Sequence, residues 1–283
     1  MESLRHFPLG ARMPNSPHAV ISSLPTMRDV RGYEEKDPQV LEALKSGYPR
    51  FVVHEYVRRL TDFYLGRESL TGRVAVLVPG RRAADDLLGW LGRGFDKLEV
   101  DESVFLVFCE ASDEEGVRKL RKTVQHTGCG ISSRQAEDLL MQHGLKDSRF
   151  EEASFKGSAL TKVEANLAEL VGCRDSDVLV CASGMNAFYA GFRAVQEFSQ
   201  SRGRTAWIQL GWLYLDSGKI LQQFLDEGER LECVYNVLDI EAVLDRIRKA
   251  GNALASVVVE CPSNPLIRIG DMERIAAAVR EQG

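Results

Sequence analysis

From about residue 155 onward the sequence alternates between short apolar runs and longer segments with apolar residues at helical spacing. That alternation limits the possible folds more than any other feature of the chain. Val178–Cys181, Ala206–Leu210, Leu231–Val237 and Leu254–Glu260 read as strands. Met185–Phe198, Asp216–Leu225, Ile240–Ala250 and Asp271–Arg280 read as the helices that follow them. A preceding helix carries Leu160, Val163, Leu167, Leu170 and Val171 on one stripe and stops at Gly172. Strands joined by amphipathic helices through short loops call for a parallel sheet with helices on both faces, because each crossover lays its helix against the sheet.

The part before it is less regular. Pro8, Pro14, Pro17 and Pro25 interrupt the first stretch, and helical patterns follow at Pro38–Lys45 and Phe51–Leu65. Arg73–Pro79 is a short apolar strand ending at Gly80, Ala83–Leu91 a helix, Val104–Cys109 a strand and Asp113–Val124 a helix. A turn-like stretch, Gly128–Arg134, precedes a helix over Gln135–Met141. The expected organisation is an α+β region over residues 1–145, then the first part of an α/β domain over 146–283. The sheet of that domain is expected to be incomplete, because the last helix should feed another strand and the sequence given stops at Gly283.

Composition narrows the function classes. The chain of 283 residues is 44% hydrophobic and 27% charged, with a formal charge of −5. No basic stripe interleaved with aromatics is present, so nucleic acid is not an expected partner. No apolar run reaches the length of a membrane span, and Met1–Leu9 lacks the apolar core of a secretory signal. The six cysteines form no CxxC and pair with no zinc-finger histidine spacing. They are expected to be buried, reduced thiols, which places the protein in the cytoplasm.

Three segments carry chemistry. Ala182-Ser183-Gly184-Met185-Asn186-Ala187 follows an apolar run and opens a helix, where Gly184 permits close approach and unpaired N–H groups favour an anion such as phosphate. The alternative is a plain turn with Ser183 as its N-cap. Trp212-Leu213-Tyr214-Leu215-Asp216-Ser217 follows the strand Ala206–Leu210, and the Tyr214 face could stack on a flat ligand. The alternative is packing, with Asp216 or Ser217 capping the next helix. Glu260-Cys261-Pro262-Ser263-Asn264-Pro265 lies at the carboxyl end of its strand, where open α/β sheets take ligands. Two prolines stiffen that loop, so Asn264 either donates to a ligand oxygen or caps its own turn.

In order and strand position these segments resemble the cystathionine γ-synthase family, the pyridoxal-phosphate (PLP) enzymes of Cys/Met metabolism. The family's SSGMAA-like phosphate turn, YGGT-like segment and ETPSNP loop are matched by ASGMNA, YLDS and ECPSNPLIRIGDM, and VEANLAELVG matches the helix before the phosphate turn. This resemblance runs from Leu160 to Gly283. PLGARMPNSPHAVISSLPTMRDVRGYEEKDP, GYPRFVVH and HTGCGISSRQAE are similar to the long N-terminal extension of the fungal-type branch. The resemblance implies a PLP-transferase-like fold (fold type I) and pyridoxal 5'-phosphate as cofactor. It implies that Ser183, Gly184 and Met185 form the phosphate turn, that Tyr214 stacks on the pyridoxal ring, and that Asn264 contacts the ring's phenolic oxygen.

Departures are plain. Leu215 and Asp216 replace two glycines, and Asn186 replaces a small residue. The family's Tyr-Ser-Arg, which reaches a neighbouring subunit's phosphate, is missing near Ser154. Ser133-Arg134 is a substitute, with Arg134 either clamping a phosphate or standing as a solvated charge. The Schiff-base lysine and the acid facing the pyridine nitrogen are expected after Gly283, since Lys156, Lys162, Lys219 and Lys249 lack the family's Ser-x-Thr-Lys context. This chain alone is therefore expected to be inactive. The full-length protein is expected to form cystathionine by γ-replacement from an activated homoserine ester and cysteine. The alternatives are a cystathionine or methionine lyase, or a non-catalytic regulatory homologue. Its partners are then small amino-acid substrates, without nucleic acid or membrane, and the full-length protein is expected to be a homo-oligomer.

Overall fold

A computed structural model of the chain describes residues 7–12, 14–19, 21, 24–44, 53–263 and 265–283. They form two units, Met1–Gln125 with Cys129–Lys162, and His126–Gly128 with Val163–Gly283.

In the first unit, α1 (Met27–Glu34) opens on a capping box in which Thr26 and Asp29 satisfy each other's backbone N–H groups. The sequence carried this signal, and a helix was not expected there. Asp37 caps α2 (Pro38–Ala43), which has proline in its first turn. The expected helix over Pro38–Lys45 thus ends earlier, and Lys45 lies outside the described residues, as do Phe51 and Val52 of the next one. His54 caps α3 (Glu55–Arg67). Three strands follow, β1 (Arg73–Pro79), β2 (Asp96–Asp101) and β3 (Val104–Glu110), with α4 (Arg81–Leu91) between the first two. They pair antiparallel in the order β1-β3-β2. The sequence of β2, DKLEVD, is too charged to form the apolar run that marks the other strands.

Two helices complete the unit, α5 (Glu114–Thr127) and α6 (Ser133–Gln142). Alternation along β3 divides its side chains between two cores. Leu106 and Phe108 pack with Leu60 and Tyr64 of α3 and Leu139 and Leu140 of α6. Phe105 and Val107 pack with Ala84, Leu87 and Leu91 of α4 and Leu120 of α5. Central β3 is therefore apolar at successive positions, because both of its faces are covered.

The second unit contains α7 (Ala159–Val171), α8 (Gly184–Gln200), β4 (Ala206–Leu210), α9 (Leu215–Gln223), β5 (Arg230–Val234), α10 (Ile240–Ala250), β6 (Leu254–Val259) and α11 (Met272–Glu281). Its sheet is parallel throughout, in the order β5-β4-β6. Every residue of the central β4, AWIQL, is buried. Ile208 and Leu210 pack with Val243, Leu244 and Ile247 of α10 and Ile275 and Ala278 of α11. On the other face Trp207 meets Phe192 of α8, with ring centroids 5.1 Å apart. Helices on both faces of a parallel sheet are the α/β arrangement that the strand–helix alternation requires.

Some expectations are corrected. Val178–Cys181 forms no strand: no described strand pairs with it, and Leu179 is 82% exposed. An apolar run becomes a strand only where a ladder partner takes its N–H and C=O groups. The helix over Leu160–Val171 is present, but its stripe is not buried, with Leu170 80% and Leu160 55% exposed. The six cysteines are all free, but only Cys109 is buried, while Cys173 and Cys261 are exposed. No helix among the described residues is long and apolar enough to cross a membrane.

Candidate cofactor site at the carboxyl edge of the parallel sheet

Ser183 is extended at the head of α8, and its hydroxyl accepts from the Asn186 N–H at 3.1 Å, as a helix N-cap does. That leaves the N–H groups of Gly184 and Met185 as open first-turn donors among the described residues. Nothing lies within 4 Å of the position a Cβ on Gly184 would take, so Gly184 itself borders open space.

Tyr214 follows β4 and is itself the N-cap residue of α9. The helix begins at Leu215, one residue before the expected Asp216, and neither Asp216 nor Ser217 caps it. Both ends of Tyr214 are held. Its backbone N–H donates to Glu260 Oε1 at 2.6 Å, and its hydroxyl donates to Asp216 Oδ2 at 2.9 Å. Glu260 stands just past β6, beside β4 in the sheet, so this bond ties the two neighbouring loops together. Burial pushes the Glu260 carboxyl above its ordinary range. Asn264 of the same loop lies outside the described residues. The loop before it is ordered by Ser263, whose N–H donates to the Arg268 carbonyl at 2.9 Å and whose hydroxyl accepts from the Arg268 N–H at 3.1 Å.

A segment that sequence reasoning missed, His126-Thr127-Gly128, joins these parts. The His126 Nδ1 lies 2.8 Å from Asp216 Oδ1, and both side chains are buried. The Thr127 carbonyl accepts from the Asn186 side-chain amide at 3.4 Å. Gly128 has φ of +61°, and a Cβ there would stand 2.6 Å from Ser183 Oγ and 2.7 Å from the Asn186 nitrogen. Three consecutive residues therefore touch both the α8 turn and the Asp216–Tyr214 pair. The signal was present as His126 and the paired glycines of HTGCG, but a histidine and two glycines specify no partner ninety residues on.

Arg134, in the first unit, pairs through two nitrogens with Glu152, each at 2.6 Å. The Glu152 hydrogen bond raises its already high pKa further. The described lysines of the second unit are Lys219, bonded to Gln222 at 3.0 Å, and Lys249, paired with Asp245 at 2.6 Å. Both pairs lie on helix surfaces.

Fold and site define a class first: an α/β protein with a parallel sheet, whose chemistry-bearing residues collect where the strands end. Relatives narrow it. The chain is 33% identical over 261 residues, 92% of its length, to an L-2-amino-4-chloropent-4-enoate dechlorinase/desaturase of Streptantibioticus cattleyicolor, and covers 52% of that protein. It is 26% identical over 316 residues to a cystathionine gamma-synthase-like protein of Aspergillus thermomutatus, covering 95% of this chain and 55% of that one. Over 158 residues, 48% of this chain and 24% of the relative, it is 26% identical to the cystathionine gamma-synthase of Saccharomyces cerevisiae. No family model and no solved structure matches. The chain is thus similar to cystathionine gamma-synthase and cystathionine gamma-synthase-like proteins, and it spans about half the length of the relatives that match most of it.

Proposed function

We propose that this chain supplies the phosphate-binding and ring-stacking half of a PLP site of fold type I, in an enzyme acting on the γ-carbon of an amino acid. The observation that carries this reading is the convergence of the α8 turn and Tyr214 on His126–Gly128. The residues present fit the group. The Gly184 and Met185 N–H groups, at the positive end of a 17-residue helix, suit a phosphate dianion. Gly184 leaves it room, and Tyr214 offers an aromatic face.

When bound, PLP supplies an electron sink for charge developing on the amino acid. The chain's own residues bind and orient it. Gly184 and Met185 would fix the phosphate, Tyr214 would fix the plane of the ring, and Asn264, by the family resemblance, would donate to the ring oxygen. Arg134, as the substitute for the family's Tyr-Ser-Arg, would reach a neighbouring subunit's phosphate if it left Glu152. Lys219 and Lys249, paired on helix surfaces, are not proposed as the Schiff-base lysine.

For the reaction, the leading reading is γ-replacement, in which cysteine sulfur displaces the activated oxygen of a homoserine ester to give cystathionine. A second reading is γ-elimination, favoured by the 33% identity to a relative named for dechlorination of an amino acid with chlorine on its fourth carbon. The test uses the enzyme that contains this chain. It is incubated with O-acetyl-, O-succinyl- or O-phosphohomoserine, with and without cysteine. Cystathionine formed only with cysteine supports replacement. A 2-oxo acid and ammonia formed without cysteine support elimination. Neither product, together with no PLP uptake, overturns both.

A further inference from the structure

The Asp216 carboxylate is fully buried, and two donors enclose it: the Tyr214 hydroxyl at 2.9 Å and the His126 imidazole, with Nδ1 at 2.8 Å. Asp216 stands in the segment that matches the family's YGGT, where a glycine is usual. Replacing a glycine with a buried carboxylate costs desolvation energy, and a buried pair returns little net stability relative to apolar packing. Fold stability is thus a weak reason for it, and positioning is the better-attested use of such groups. The pair acts on one residue of the candidate site. Tyr214 is already held at its backbone by Glu260, and Asp216 holds the far end of the ring. A side chain anchored at its N–H and its hydroxyl has lost its χ freedom before any ligand arrives, so binding does not have to order it.

We infer that Asp216 and His126 are positioning residues that clamp the Tyr214 hydroxyl and pre-set its ring face for a flat, phosphate-bearing aromatic ligand. The inference rests on the cofactor reading above and adds residues outside its matched motifs. Asp216 acts through the tyrosine and His126 acts through Asp216. His126 must donate from Nδ1, because a carboxylate only accepts.

The test is a double-mutant cycle read by binding of pyridoxamine 5'-phosphate, which has no aldehyde and so cannot label surface lysines. Its dissociation constant is measured for the unsubstituted chain, Tyr214→Phe, Asp216→Asn and the double variant, with inorganic phosphate as a second ligand and apo melting recorded for each. Each single variant should weaken pyridoxamine phosphate binding about threefold to tenfold, the range of one hydrogen bond. The double variant should be no weaker than the worse single one, because both remove the same contact. Inorganic phosphate, which reads only the α8 turn, should bind all four alike. His126→Gln, which keeps an N–H donor, should bind close to the unsubstituted chain, while His126→Leu should match Asp216→Asn. Additive losses, or an Asp216→Asn chain that melts lower but binds unchanged, would overturn the positioning role and leave the cofactor reading intact. If the unsubstituted chain binds phosphate but not pyridoxamine phosphate, the cofactor reading fails and this inference fails with it.

Discussion

At the scale of single residues, His54 shows how a side chain's protonation is written into its hydrogen bonds. Its Nδ1 accepts from the Tyr56 N–H at 3.0 Å as the N-cap of α3, and its Nε2 lies 2.7 Å from the Pro17 carbonyl. Those partners fit only the neutral ring with its proton on Nε2. Burial, then Arg12 and His18 nearby, lower its pKa below the ordinary 6.5, against the Pro17 bond that raises it. A histidine with a lowered folded pKa takes up its proton more readily unfolded, so its contribution is whole above about pH 6.5 and is lost as pH falls below that. Glu137 acts in a separate window. Burial alone would raise its pKa, but the Phe150 N–H, His18 and Lys146 outweigh burial and hold it below 4.5. Its contribution is lost only below that value. The urea midpoint should therefore decline as pH falls below about 6.5. His54→Asn, a non-titrating cap, should flatten that decline. An unchanged slope in His54→Asn would remove His54 as its source. Neither partner of His54 could be read from the sequence, because Pro17 is remote and a cap is recognised in sequence by Ser, Thr, Asp or Asn, not by histidine.

At the scale of elements, the legible features were those set by local chemistry. β4, α10 and the turn opening α8 stand where apolar runs, helical spacing and Ser183-Gly184 put them. What escaped depended on partners. Val178–Cys181 had the composition of a strand but no ladder neighbour among the described residues, and β2 had the neighbour without the composition. Asp216, taken as a cap, became a buried carboxylate because His126 returns to it across ninety residues. The segment that joins the site is thus the end of α5 with Gly128 directly after it, and Gly128 is tightly enclosed. Gly128→Ala forces an L residue to φ of +61° and drives its Cβ to 2.7 Å from a backbone nitrogen at the head of α8. It should cost about 2 kcal/mol or more and impair phosphate binding. Gly94→Ala is the control, since Gly94 has φ of +91° but nothing within 4 Å of its Cβ position. It should cost about 1 kcal/mol, from backbone strain alone, and leave phosphate binding unchanged. Equal effects in chemical denaturation would show that the close approach at Gly128 contributes nothing.

At the scale of the whole molecule, the chain divides into two units, each with its own sheet and core. The α/β character of the second was legible from strand–helix alternation. The antiparallel order of the first was not, because pairing is decided by which strands meet, and no sequence period records that. The central claim concerns the second unit, where the carboxyl edge of the sheet offers a phosphate turn and an aromatic face to one cofactor. Equilibrium dialysis of pyridoxamine 5'-phosphate against this chain and its Tyr214→Ala variant, at a temperature where both are folded, tests that claim directly. The account predicts one saturable site per chain, competed by inorganic phosphate and weakened several-fold to about tenfold in Tyr214→Ala through lost stacking. Uptake that does not saturate, or that is equal in the two chains, would contradict it.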